Sequence, residues 1–270
     1  MTNSLNVCYW NANGLVNKIN ELKMFLIHQK VDIMLLGETH LRRGNEITVP
    51  NYKIYRNDRV NQPGGGTAIL IKKDLVHKNV ESKKGNIENT IIEIPYGQSV
   101  LTVVAAYCSP KRVFNFSEID DLIGSAKPIL LLADLNAKHV SWGCNADSPS
   151  GKVLYRYITE KAGHLLIPNE PTHYGGVGRP DILDIGICRG LKRIPNISVL
   201  QDLSSDHNPV GVTIEAQPTF KKNPLMKIDL PKFKSYLKGL KFKPRSLLYT
   251  TDIDKEVNDF TNVIKEAMEK

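Results

Sequence analysis

The feature that most constrains this chain is a succession of short apolar runs with strand character, far too many for one small sheet. They lie at Leu5 to Trp10, Asp32 to Leu36, Tyr52 to Arg56, Thr67 to Ile71, Thr90 to Ile94, Val100 to Tyr107, Ile129 to Ala133, Leu183 to Ile187, Ile197 to Leu200 and Val210 to Ile214. Helical spacing interrupts them at Val16 to Gln29, Ser117 to Gly124 and Gly151 to Lys161. Close strand pairs such as the runs around Ile94 and Val100 must be antiparallel hairpins. The mixture predicts an α+β protein: two facing mixed sheets with helices outside, a four-layer α/β sandwich.

Length and charge set the domain plan. The 270 residues carry a formal net charge of +8, unevenly divided. Residues 1 to 216 are nearly balanced, whereas the segment from 221 to 245 holds nine Lys/Arg and one acid. We therefore expect a catalytic domain at 1–216 and a basic, partly helical linker, or the start of a following region, at 217–270. Two short helices are expected in that tail, at Leu230 to Leu240 and Asp252 to Lys270.

The first strand-like run begins too early for a signal peptide, and no apolar run approaches the roughly 20 residues that span a bilayer. Secretion and membrane residence are not expected. Cys8, Cys108, Cys144 and Cys188 form no CxxC pair and fall mostly in apolar runs, which reads as buried reduced thiols and argues against zinc.

The chemistry-bearing residues cluster where strands end. Asn11 closes the first run, Glu38 follows Leu35-Leu36-Gly37, and Asp134 and Asn136 follow Leu130-Leu131-Leu132-Ala133. Asp184 stands in Ile182-Leu183-Asp184-Ile185, and Ser205-Asp206-His207 precedes the last run. Burying an unpaired carboxylate among such neighbours costs several kcal/mol, and a divalent cation or a histidinium is the usual compensation. Oxygen ligands favour magnesium, with manganese as a substitute. Singly, each of these residues also has a bland role as a cap, an ion-pair partner or a satisfied core histidine.

Taken in order, the segments Trp10-Asn11-Ala12-Asn13-Gly14-Leu15, Gly37-Glu38-Thr39-His40, Gly64-Gly65-Gly66-Thr67-Ala68-Ile69, Ala106-Tyr107-Cys108-Ser109-Pro110, Ala133-Asp134-Leu135-Asn136-Ala137-Lys138-His139, Asp181-Ile182-Leu183-Asp184 and Ser204-Ser205-Asp206-His207 form a specific set. The set resembles the endonuclease domain of LINE-type (non-LTR), jockey-like retrotransposons, in the exonuclease–endonuclease–phosphatase superfamily. That resemblance implies a metal held by Glu38, Asn11 and Asp206. It gives Tyr107 the scissile phosphate, Asp134 with Asn136 the attacking water, and Asp184 the orientation of His207. Thr172 and Ser205 would be further phosphate contacts. Arg179, the one cation of the loop Gly175-Gly176-Val177-Gly178-Arg179-Pro180, would probe a DNA groove.

The implied activity is a metal-dependent nick in double-stranded DNA that leaves a 3′-hydroxyl to prime reverse transcription. A C-terminal reverse transcriptase in the same polyprotein and action in the nucleus, after synthesis in the cytoplasm, would go with it. Alternatives are a same-fold phosphatase or phosphodiesterase for small phosphoesters and an inactive nucleic-acid-binding remnant. Asn13, where repair endonucleases carry an aspartate, argues against abasic-site repair. Gly64-Gly65-Gly66 is expected as a tight turn into a strand, because no Lys-Ser/Thr pair completes a phosphate loop. His139 and Trp142 receive no assignment.

Overall fold

The computed structural model describes residues 4–60, 62–124, 128–161, 163–175, 179–216, 219–220, 230–239 and 250–269. The chain divides into two compact units, one at 1–221 and the other at 222–270. In the second unit the described elements are two helices, α4 (Leu230–Gly239) and α5 (Thr250–Glu269). Most of the basic segment 221–245 lies outside the described residues.

The first unit is built from two six-stranded sheets. One has the order β11-β12-β1-β2-β4-β3, made of β1 (Ser4–Asn11), β2 (Ile33–Gly37), β3 (Tyr52–Asn57), β4 (Thr67–Lys72), β11 (Ile197–Val199) and β12 (Val210–Glu215). The other has the order β5-β6-β7-β8-β10-β9, made of β5 (Lys78–Val80), β6 (Ile87–Tyr96), β7 (Ser99–Cys108), β8 (Ile129–Asp134), β9 (His164–Leu166) and β10 (Asp184–Arg189). The helices of this unit are α1 (Ile19–His28), α2 (Phe116–Ile123) and α3 (Pro149–Glu160).

Strand alternation builds the layers. Leu5, Val7 and Tyr9 of β1 face Leu101, Val103 and Ala105 of β7 in a core between the sheets. The intervening Cys8 and Trp10 pack with Leu22, Phe25 and Leu26 of α1, while Val104, Ala106 and Cys108 pack with α2 and α3. Both faces of the central strands are thus covered, which is why their sequences read as nearly continuous apolar runs. Helix, sheet, sheet and helices form four layers, as the strand and helix spacing predicts.

The differences from the sequence reading have simple causes. The three-residue strands β5 and β9 have no counterpart in it, because Lys78–Val80 and His164–Leu166 are too short to show an alternation. The run at Thr90 extends to the longer β6 because Ile87 and Tyr96 also turn inward. Leu183 lies outside β10, because the ladder with β8 begins one residue later, where Asp184 stands opposite Asp134.

Each sheet contains one parallel pair, β1 with β2 and β7 with β8; every other pairing is antiparallel. Parallel pairing puts Asn11 beside Gly37 at one carboxyl end and Tyr107 beside Asp134 at the other. The carboxyl ends of parallel strands are where α/β folds place functional groups. Here two such ends meet, with the Tyr9 hydroxyl donating to Ala106 O across the sandwich at 3.1 Å.

Candidate active site

Backbone geometry at the strand ends aims the side chains. Glu38 (φ 46°), His40 (φ 52°), Asn13 (φ 41°) and Asn136 (φ 46°) all adopt left-handed conformations that L-residues seldom hold. Such positions persist only where the surroundings over-determine them. Gly37 is fixed by a close approach instead, since a Cβ there would collide with the Tyr9 hydroxyl.

The inner part of the site is a buried array of two carboxylates and one imidazole. Asp184 and Asp134 are register partners on β10 and β8. His207 Nδ1 bonds Asp184 Oδ2 at 2.7 Å, and His207 Nε2 stands 3.8 Å from Asp134 Oδ2. Asp184 is 0% and Asp134 1% exposed, so little solvent shields either charge. Burial pushes the Asp134 carboxyl up to about 7 against the opposing pull of the His207 cation. Burial alone would lower His207, but Asp184, Asp134 and Asp206 outweigh it and raise the imidazole to about 10. His207 therefore holds the proton at neutral pH, a cation between two carboxylates.

Neighbours fix each member of the array. Asn11 Nδ2 donates to Asp134 Oδ2 at 2.9 Å, and Asn136 N donates to Asp134 Oδ1 at 2.9 Å. The Asn136 side chain ties the loop to Cys108 O at 3.0 Å. The backbone carbonyl of His207 accepts the Trp10 indole N–H at 3.1 Å, and its N–H reaches Ser205 Oγ at 3.3 Å.

The outer part is more accessible. Burial works against the charge of Glu38, but hydrogen bonds from His40, Tyr107 and Asn11 hold its carboxyl below the usual range. It is anionic at any working pH. The Tyr107 hydroxyl is pushed far up by burial and by Glu38, so it stays a donor. Partial burial opposes the Asp206 charge too, and the Asn13 amide, the His207 cation and Ser205 outweigh it to hold that carboxyl low.

These donors suit a hard divalent cation: the Glu38 and Asp206 carboxylates and amide oxygens, with no thiolate among them. All four cysteines are free and buried, and burial raises Cys8 and Cys108 to about 12. Among the described residues two groups bring ligand atoms within 4.8 Å of one another: His173, Asp206 and His207, and Asp134, Asp184 and His207. Both include His207, whose protonated imidazole has no lone pair to give, so the second is better read as a proton-holding array and the first keeps only Asp206 and His173 as donors.

The structure thus draws together Asn11, Glu38, Tyr107, Asp134, Asn136, Asp184, Ser205, Asp206 and His207 from both sheets. Thr172 is buried, and its hydroxyl accepts the N–H groups of Leu183 and Asp184 at 3.0 Å each, which ties it to the start of β10. Ser205 Oγ is turned inward to Asn11 O at 2.9 Å. Arg179 is exposed, and residues 176–178 of its loop lie outside the described residues. His139 and Trp142 are buried and stacked on each other with ring centroids 4.8 Å apart, which makes them supports of the loop after β8.

Three neighbours escape a reading by sequence. Arg59 reaches in from the loop between β3 and β4, its guanidinium 5.8 Å from the Tyr107 ring centroid. His173 packs on His207 with ring centroids 4.5 Å apart. Trp10, a core residue by pattern, supplies the indole bond to the His207 carbonyl. Trp10 and His173 adjoin Asn11 and Thr172, and His40 lies within Gly37-Glu38-Thr39-His40, so their segments offered a signal; Arg59 has none.

Solved structures with this architecture include the endonuclease domain of TRAS1, a telomere-specific non-LTR retrotransposon, at TM-score 0.66 and 20% identity, covering 79% of this chain and 99% of that one. The Xenopus laevis APE2 catalytic domain aligns at TM-score 0.61 and 16% identity over 81% of this chain and 94% of that one. The fold and the rim of acids, amides and histidine define an exonuclease–endonuclease–phosphatase domain, of the phosphodiester-hydrolysing nuclease kind.

Sequence relatives narrow this further. Residues 101–211 match the family described as endonuclease-reverse transcriptase. The RNA-directed DNA polymerase from mobile element jockey of Drosophila melanogaster is 30% identical over 276 residues, which cover 98% of this chain and 30% of the relative. A probable RNA-directed DNA polymerase from transposon BS, also of Drosophila melanogaster, is 29% identical over 98% of this chain and 31% of its own length. The chain therefore spans about 30% of the length of these relatives. The stretch 101–211 thus matches that family, and nearly the whole chain is similar to part of the jockey-like retrotransposon polymerases.

Proposed function

We propose that this domain is a divalent-metal-dependent endonuclease that nicks double-stranded DNA and leaves a 3′-hydroxyl, the primer for a reverse transcriptase carried on the same polyprotein. The observation that carries the reading is the buried Asp184–His207–Asp134 array opening toward Glu38 and Tyr107. A small phosphoester needs no long surface beside such a site, whereas a duplex does.

In this mechanism the scissile phosphate lies between the Tyr107 hydroxyl and the His207 imidazolium. Asp134 accepts a proton from the attacking water, and its raised pKa matches a base working near neutrality. Asn136 and Asn11 hold its two oxygens, so its free lone pairs point in a fixed direction. His207 keeps its proton and offers Nε2–H to a phosphoryl oxygen on which charge accumulates, while Asp184 fixes the ring and its tautomer. Glu38, with Asp206 and the Asn11 amide, would hold the magnesium or manganese ion, which would supply further charge neutralisation at the phosphate. Action on chromosomal DNA in the nucleus follows from the same reading.

Nicking of supercoiled plasmid by the purified chain, with magnesium and after chelation, tests the proposal. Nicked circles that a DNA polymerase extends directly are expected. Release of phosphate from small esters without nicking would favour a same-fold phosphatase instead.

A further inference from the structure

Next to the site a cavity of about 710 Å³ is lined by His40, Arg42, Arg43, Arg56, Arg59 and Asp58, with Gly64 and neighbouring loop residues closing it. Two side chains join it to the site. His40 lines the cavity and bonds Glu38 Oε2 at 3.1 Å, and Arg59 lines it while lying over the Tyr107 ring.

The charge of this cavity is one-sided. Arg56 pairs with Asp58 at 2.9 Å and also donates to Asn45 O and Arg42 O, so it is a structural strut. Arg59 pairs with Glu88, yet its Nη2 is buried without a hydrogen-bond partner. Arg42 and Arg43 are exposed, and neither has a carboxylate partner among the described residues. An unbonded guanidinium nitrogen is a costly thing to bury, and two unpaired cations at its mouth repel each other. Asp58 Oδ1 is likewise buried without a partner, but four guanidinium groups against this one carboxylate make the cavity one that favours an anion.

The walls are built to keep this arrangement. Gly64, Gly65 and Gly66 all have positive φ, and a Cβ on Gly65 would collide with the Arg59 guanidinium. The Gly66 N–H donates to Glu88 Oε2 at 2.6 Å, locking the loop to the carboxylate that holds Arg59. The glycines thus let the backbone pass close enough to leave the arginine in place.

We propose that this cavity is a phosphate clamp for the substrate strand, in which Arg42 and Arg43 contact backbone phosphates flanking the scissile bond and Arg59 completes their hydrogen bonding. This rests on the reading of the domain as a DNA nuclease and adds where the strand runs: from the metal side past His40 into the arginine cavity. The contacts are to phosphates, so the clamp sets register without reading bases.

The test measures affinity for a non-specific duplex at several salt concentrations, using the full chain and its Arg42→Ala/Arg43→Ala, Arg42→Lys/Arg43→Lys and Arg156→Ala variants. Each phosphate contact adds about −0.9 to the slope of log K against log salt. The double alanine variant should lose about 1.8 of that slope, the double lysine variant should keep it, and Arg156→Ala, on the exposed face of α3, should match the parent. Arg42 and Arg43 are exposed, so folding is not at stake; an unchanged slope in the double alanine variant overturns the clamp. The parent's nicking, measured in parallel, judges the nuclease reading separately: a parent that nicks while the slopes stay equal refutes the clamp alone.

Discussion

Removing Glu38 and removing His207 should have different consequences. Glu38 is partly open to solvent, and its bonds come from groups that water can satisfy; Glu38→Ala is expected to cut nicking at least about a hundredfold while thermal unfolding changes little. His207→Ala takes away the cation between Asp184 and Asp134, both essentially unexposed. Breaking a buried pair from one side costs about 3–5 kcal/mol, so the same activity loss should come with a clear drop in Tm. Calorimetry beside the nicking assay separates them, and equal Tm values would show the array to be looser than its 2.7 Å bond implies. The pH profile belongs here as well. Asp134 must be ionised to accept a proton, and its carboxyl is pushed up to about 7, so kcat/KM should fall about tenfold per pH unit below that value. Rates measured between about pH 5 and 9 check this; an acid limb in the ordinary carboxylate range would remove Asp134 as the base.

At the scale of elements, the strands were legible because each central one is buried on both faces, and the site was legible because a polar residue ending an apolar run is conspicuous. Asn11, Glu38 and Asp134 announce themselves in this way. Arg59 does not: it follows a modest edge strand, and only the folding of the β3–β4 loop over β6 brings it to Tyr107 and Glu88. The two backbone bonds that the Thr172 hydroxyl accepts from Leu183 and Asp184 were not legible either, because they depend on how its loop folds back on the start of β10. The glycine loop was recognisable as a turn, though not as the wall of a cavity. Gly65→Ala should therefore lower stability by about 1–2 kcal/mol from its left-handed backbone alone. It should also push Arg59 off Tyr107, raising KM more than it lowers kcat. Thermal melts and steady-state nicking test the two effects together, and an unchanged KM would detach the loop from the substrate.

For the whole molecule the question is how much chain the nuclease needs. Every candidate residue lies in the unit at 1–221. Beyond β12, Val76 N still donates to Thr219 O at 2.8 Å, and Leu75 bridges Phe220. A chain of residues 1–221 should nick like the full chain. One of residues 1–216 should also nick, with a Tm lower by about 2–4 °C for each kcal/mol lost with that edge contact. Equal melting temperatures would show that the Thr219 to Phe220 segment contributes nothing. The basic residues beyond 221 were conspicuous in the sequence, but charge density carries no geometry, and the same truncation series measures what they add to binding.

The position of β1 between β2 and β12 carries a consequence for synthesis on the ribosome. Within this unit the first strand to emerge, β1, is paired on one side with Ile33–Gly37, close behind it, and on the other with Val210–Glu215, some two hundred residues later. Until those last residues leave the exit tunnel, β1 has an open edge and the loop bearing His207 has no anchor beneath it. Contacts this distant in sequence slow folding and leave sticky edges exposed in the meantime. A nascent chain is thus unable to cut anything before its nuclease portion is fully translated, and ribosomes stalled short of residue 215 would display aggregation-prone fragments in place of a partially active enzyme.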